Sequence, residues 1–131
     1  RQEIKEWFDN EDKERFSIFL LDKRYKKIAV VDFDNQDVTR VNVEVSEIAS
    51  SFAHYKPSKV IIAHNHPSGM AEPSESDDLA TKKINLLCMA HGVTLADHVI
   101  YGKGNVYSYM QSGKLDEIKK KADLNAMLNN L

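Results

Sequence analysis

At 131 residues and 42% hydrophobic content, the chain can bury one substantial core and has little room for two, so a single globular domain spanning 1–131 is expected. Charged residues make up 29% of it but nearly balance, 18 basic against 20 acidic, so no global field draws it to nucleic acid or to an anionic membrane. One cysteine, Cys88, excludes an intrachain disulfide framework and a Cys-rich zinc module, and fits a reducing compartment, with the cytoplasm as the expectation.

The opening RQEIKEWFDN starts on Arg1 and not Met, which reads as a piece of a longer protein, and it carries no signal-peptide pattern. Nor does any apolar run approach the roughly 20 residues that span a bilayer. Ile4, Trp7 and Phe8 fall at i, i+3, i+4, the spacing of a short amphipathic helix. RFSIFLLD and KKIAVVDF are apolar, β-branched or aromatic runs separated by the basic KRYK, which reads as a hairpin. DVTRVNV reads as a third, half-polar strand. From Glu44 to Tyr55 the set Val45, Ile48, Ala49, Phe52 keeps helical spacing until Pro57 stops it.

SKVIIAHNH then reads as a buried strand, ESDDLATKKINLLCMAHG as a helix closed by Gly92, and VTLADHVIYG and NVYSYMQ as two further strands. The tail from Ser112 is helical, with Leu115, Ile118 and Ala122 in one phase and Leu124, Met127, Leu128 and Leu131 in another. That slip near Asp123 predicts a kink, or a last turn that packs on something outside the domain. The order of elements predicts an α/β fold: a mixed, mostly antiparallel sheet flanked by helices, with a core over about 14–111 and a helical tail over 112–131.

The chemistry concentrates in IIAHNHPSGMAEPSESDD, residues 61–78. Side chains alternate along a strand, so His64 and His66 project to one side, where two imidazoles can share a metal ion. A polar strand end meeting solvent explains the same pair. Pro67 and Gly69 form a turn, and Ser74 precedes Asp77 by three residues at a helix start, where a carboxylate is favoured. Ser-x-x-Asp is also close to a helix capping box. Taken together, the strand end, the reversing loop and the first helical turn would deliver two nitrogens and one oxygen to one point. Three protein ligands and an open fourth position describe a catalytic zinc site.

His64-x-His66, seven residues, then Ser74-x-x-Asp77 matches the JAMM (JAB/MPN) metalloprotease motif, and HNHPSG, PSESD and LADHVIYG resemble the RadC branch of that superfamily. The resemblance spans roughly 14–111. It implies the cytidine-deaminase-like MPN (JAB) fold, one zinc ion per chain held by His64, His66 and Asp77, and metal-dependent hydrolysis of a peptide or isopeptide bond in a protein substrate. The glutamate such proteins place just before an apolar strand falls on Glu14, in KERFSIFLLD, as the general base; Glu11 and Glu44 are lesser candidates, because a slip of strand register would change which carboxylate reaches the site. Ser74 takes either the oxyanion-assisting role of the family or that of a helix cap. The alternative function is a non-proteolytic RadC-type binding module associated with DNA repair or mobile-element complexes. A deaminase is disfavoured, since its His-x-Glu and Pro-Cys-x-x-Cys signature is absent.

Other residues receive plainer readings. Asp97 and His98 point to opposite faces of their strand and so form no dyad; packing or support of the site is expected of His98. His54 and His91 lie at helix C-termini, where the dipole favours a cation. Cys88 is expected in the core. Lys23, Arg24, Lys26 and Lys27, with Tyr25 among them, would suit phosphates and a stacked base, or form a solvated turn. No membrane partner is expected.

Overall fold

A computed structural model of the chain describes residues 14–34, 41–67 and 69–129, with side chains described except at 34 and 41–44. The expected first helix and Glu11 lie outside the described residues, as does the side chain of Glu44. In chain order the elements are β1 (Arg15–Leu21), β2 (Lys27–Asp34), α1 (Val41–Tyr55), β3 (Lys59–Asn65), α2 (Glu75–Ala90), β4 (Thr94–Tyr101), β5 (Val106–Ser108) and α3 (Lys114–Asn129).

The strands form one sheet in the order β2-β1-β3-β4-β5. β1 and β2 make the expected hairpin, and β1 also lies antiparallel to β3, with Phe16 opposite His64 and Leu21 opposite Lys59. The β3 to β4 connection passes through α2, so those two central strands run parallel, as a helical crossover requires. β5 returns antiparallel to β4. The architecture is a mixed α/β fold with a mostly antiparallel sheet, as the order of elements predicts.

Period-2 alternation divides the strand residues between two faces, with an irregularity in β4 between Leu95 and Asp97 shifting its phase by one residue. Phe16, Ile18, Leu20, Val60, Ile62, Leu95 and Ile100 join Ile48 and Phe52 of α1, Ala80, Ile84 and Cys88 of α2, and Leu115 and Ile118 of α3 in the main core. Phe19, Leu21, Ile61, Ala63, Val99 and Tyr101 form a second buried cluster. Cys88 is in the core as expected, and burial pushes its thiol up to about 12, so it is inert. Gly92, at φ 67, lets the chain leave α2 in a left-handed conformation that a side chain would disfavour.

Three boundaries differ from the sequence reading. The third strand expected over 37–43 is not there in the described part: Val41 to Val43 open α1, and 37–40 lie outside the described residues. Val41, Val43 and Val45 alternate like a strand, but Val41 is also one helical turn before Val45, and the helical face continued by Ile48 and Phe52 prevails. β5 covers only three residues of the NVYSYMQ run, because the Asp97 carboxylate captures the Met110 N–H at 2.9 Å and the Ser108 hydroxyl at 2.7 Å and turns the chain away. α3 is one helix through Asp123; Leu115 and Ile118 are buried, whereas Leu124, Met127 and Leu128 of the second phase are exposed. No described helix is long and apolar enough to cross a membrane.

Candidate metal centre

β3 is the central strand and pairs parallel with β4, and the carboxyl end of such a strand is where open α/β sheets gather their chemistry. His64 is the next-to-last residue of β3, fully buried; the strand stops at Asn65, one residue short of the reading, although the His66 N–H still donates to Tyr101 O at 2.7 Å. The two imidazoles do share a side, with ring centroids 4.8 Å apart. The His66 carbonyl accepts the Gly69 N–H at 3.0 Å, closing the expected turn.

Ser74 is the N-cap of α2. Its Oγ accepts the Asp77 N–H at 3.1 Å, and Asp77 Oδ2 accepts the Ser74 N–H at 2.9 Å, a complete capping box. The capping role of Ser74 is therefore real. It also serves the site, because the same bonds fix Asp77, 1% exposed, beneath both histidines.

Asp77 Oδ1 lies 3.2 Å from His64 Nδ1, and Asp77 Oδ2 lies 3.2 Å from His66 Nε2. His66 Nδ1 is 2.9 Å from the Met70 carbonyl, which can only accept, so that nitrogen carries the proton and Nε2 faces Asp77 with its lone pair. His64 Nε2 is 2.7 Å from Glu14 Oε1, so its proton faces the carboxylate and its Nδ1 lone pair also faces Asp77. His64 Nδ1 and Asp77 Oδ1 are both buried without a hydrogen bond. Lone pairs thus converge where only a second proton or a bound cation reconciles them.

The electrostatics agree. Burial opposes a charged His64, but the Asp77 and Glu14 carboxylates outweigh it and raise the imidazole above its ordinary value. Burial opposes a charged Asp77 too; His64 and the Ser74 donors prevail and hold its carboxyl well below the usual carboxylate range. A field that favours a proton on His64 favours a metal cation at the same place. Glu14, His64 and His66 each offer a ligand atom, all within 4.8 Å of one another, a group that could hold a metal ion. Glu14, His64, His66 and Asp77 are brought together, with Ser74 capping the helix turn that bears Asp77; Glu11 and the side chain of Glu44, the lesser candidates, lie outside the described residues.

The expected packing or support role of His98 is what the structure shows, through partners the sequence reading did not name. His98, fully buried, stacks on Tyr109 with centroids 4.6 Å apart, and its Nδ1 lies 2.6 Å from Thr81 Oγ1. That hydroxyl donates to the Asp77 carbonyl at 2.6 Å, so His98 carries its proton on Nδ1 and supports the helix turn that bears Asp77. The loop bearing Met70 is tied to the β4–β5 turn by Lys103 N to Gly69 O at 2.9 Å and Ala71 N to Asn105 Oδ1 at 3.1 Å. These partners are far apart in sequence; the local signal was the adjacent Asp97 and His98 within a buried strand.

The fold and the cluster together define an α/β domain that gathers two imidazoles and two carboxylates at the end of a central strand, a donor set that could hold a metal ion. The chain belongs to the RadC-like JAB domain family, whose family model matches residues 2–114. It is 37% identical over 102 residues to a UPF0758 protein of Ralstonia pickettii (strain 12J), covering 78% of this chain and 46% of that protein. A UPF0758 protein of Ralstonia nicotianae is 36% identical with the same coverage, and one of Actinobacillus pleuropneumoniae serotype 5b is 33% identical over 101 residues, 77% of this chain and 46% of that protein. The chain spans about half the length of the curated relatives it matches.

Proposed function

We propose that this domain hydrolyses a peptide or isopeptide bond with one zinc ion held by His64, His66 and Asp77. The observation that carries the reading is the pair of 3.2 Å approaches by which Asp77 faces both histidines, with two buried atoms left without a hydrogen bond. Held by these residues, zinc would supply Lewis-acid chemistry and a lowered pKa for water, toward about 7.

Glu14 takes the proton of the attacking water and returns it to the leaving nitrogen, two steps that one carboxylate can serve. Its contact with His64 holds one oxygen in place, and its 46% exposure leaves the group open to a substrate. Ser74 is exposed; one lone pair of its hydroxyl accepts the Asp77 N–H, and its proton can donate to the developing oxyanion. Met70 O and Thr81 keep His66 and Asp77 in place. Incubating the zinc-loaded protein with a library of peptides and lysine isopeptide conjugates tests the reading. Hydrolysis that stops with chelator and returns with zinc supports it; no turnover across the library contradicts it.

One observation favours a second reading, a nucleic-acid binding module. At the far end of β1 from Glu14, the exposed Lys23, Arg24, Lys26 and Lys27 surround Tyr25, 57% exposed, and Lys59 Nζ sits 3.9 Å over its ring. The nearby Asp22 carboxylate is occupied with the Arg24 and Lys26 N–H groups, at 2.8 and 2.9 Å. Cations that neutralise phosphates give a log–log salt slope of about −0.7 to −0.9 per contact, and replacing all four with Ser would flatten it. The hydrolase reading expects binding at about 150 mM salt no tighter than the nonspecific range, on the order of 10⁻⁴ to 10⁻⁶ M. Submicromolar, hairpin-dependent binding without hydrolysis would favour the module instead.

A further inference from the structure

Glu14 stands one residue outside the sheet, yet hydrolysis asks its carboxylate to hold one position. The β1–β3 ladder ends at Phe16 opposite His64, so no strand pairing with β3 reaches Arg15 or Glu14. Asn65 takes over where the ladder stops. It lies between the two histidines, on the opposite face of β3 from them, in line with Ile61 and Ala63 of the second buried cluster, and is itself 4% exposed. Its Oδ1 accepts the Arg15 backbone N–H at 2.5 Å.

On its other side Arg15 is fixed to β2. Its guanidinium grips Asp32 through Nε at 3.1 Å and through NH2 at 2.8 Å, and the buried Ser17 hydroxyl donates to the same carboxylate at 2.5 Å. The peptide unit that joins Glu14 to Arg15 is thereby tied to β3 through Asn65 and to β2 through Asp32. With that peptide fixed, the backbone of Glu14 is held where its carboxylate reaches His64 Nε2 at 2.7 Å. A polar side chain in a buried strand position is costly unless it is bonded, and here the bond orients a reacting group.

We propose that Asn65 is a positioning residue for Glu14: its carboxamide continues the β1–β3 ladder by one bond and so holds the Glu14 carboxylate against His64. The proposal deepens the hydrolase reading and rests on it for its catalytic consequence, but its structural part is measurable in the metal-free chain.

The test compares Asn65→Leu, which keeps volume and removes the acceptor, with Asn65→Asp, which keeps an acceptor at the same reach. Asn65→Ser, too short to reach, replaces the Leu variant if that one does not fold. In metal-free protein, amide exchange at Arg15 should rise about tenfold relative to the Phe19 and Leu20 amides in the Leu or Ser variant, and return toward wild type in the Asp variant. The His64 Nε2–H proton resonance, sheltered by Glu14, should broaden with solvent exchange in the same variants.

With the zinc-loaded chain and a substrate drawn from the peptide and isopeptide library, kcat should fall about tenfold or more at unchanged KM and unchanged zinc content. In a Glu14→Gln background the same substitution should change little, because Asn65 acts through Glu14. Unchanged Arg15 exchange and His64 resonance in a folded Asn65→Leu or Asn65→Ser variant would overturn the proposal. If no substrate is found, the hydrolase reading fails while these two resonances still decide the clamp.

Discussion

His64 Nδ1 and Asp77 Oδ1 face each other across 3.2 Å in the protein interior, and neither atom has a hydrogen bond. Leaving buried polar atoms unpaired costs on the order of 1–3 kcal/mol each, so a second proton on His64 or a cation between the two atoms is stabilised there. Asp77 is held there by its capping box and by the Thr81 contact to its carbonyl, so it cannot relax away.

Binding and chemistry separate at Glu14. Glu14→Gln keeps the shape and an oxygen near His64 but cannot take a proton from water. Zinc content should stay within error of wild type, and turnover should fall by about two or more orders of magnitude. Atomic absorption together with initial rates checks both. Loss of zinc would make Glu14 a ligand, and unchanged turnover would move the base to another carboxylate.

Gly102 carries the loop's close approach to the β4–β5 turn. A Cβ there would overlap the Gly69 carbonyl oxygen and Asn105 Oδ1, and stand 2.8 Å from Ala71 N. Gly102→Ala must therefore push back the loop whose Met70 carbonyl fixes the His66 tautomer. Disturbing such an outer contact costs about 10- to 100-fold in metal affinity. Competition against a chromogenic chelator should read that loss while the far-UV spectrum stays unchanged; wild-type affinity would mean that the loop does not set His66.

These dependencies explain what was legible in the sequence. The β1–β2 hairpin, β3, α2 and β4 follow from local periodicity, and the proposed ligands His64, His66 and Asp77 from spacing within one strand–loop–helix segment. Glu14 came only through the family resemblance, since 50 residues separate it from His64. Asn65, Thr81 and Gly102 act through partners that no local pattern announces. Val41 to Val43 were misread because alternating valines satisfy both a strand and the first turn of α1, and packing of the later turns decided.

Acid should weaken the fold through His98. Burial, reinforced by His64, lowers its pKa to about 3 from an ordinary value near 6.5. Between those values the unfolded chain binds a proton that the folded chain refuses, so stability falls as pH falls, by up to about 1.4 kcal/mol per pH unit. His64 acts in the opposite sense: its raised pKa adds stability that is fully present below the unfolded value and lost only as pH rises through the folded one, so it is constant in this window. Urea unfolding of chelator-treated protein at pH 6.5, 5.5 and 4.5 should show the decline. His98→Gln should be less stable at pH 6.5 but flatter with pH; equal slopes would place the acid sensitivity elsewhere.

The most direct measurement is zinc binding to the whole chain by calorimetry, beside a His64→Ala/His66→Ala double variant. One equivalent should bind to the wild type, more weakly as pH falls through the raised pKa of His64, because the metal must displace its proton. The double variant should bind none with comparable affinity. Full, tight zinc occupancy in that variant, or no binding to the wild type near neutral pH, would contradict a metal centre at the end of β3.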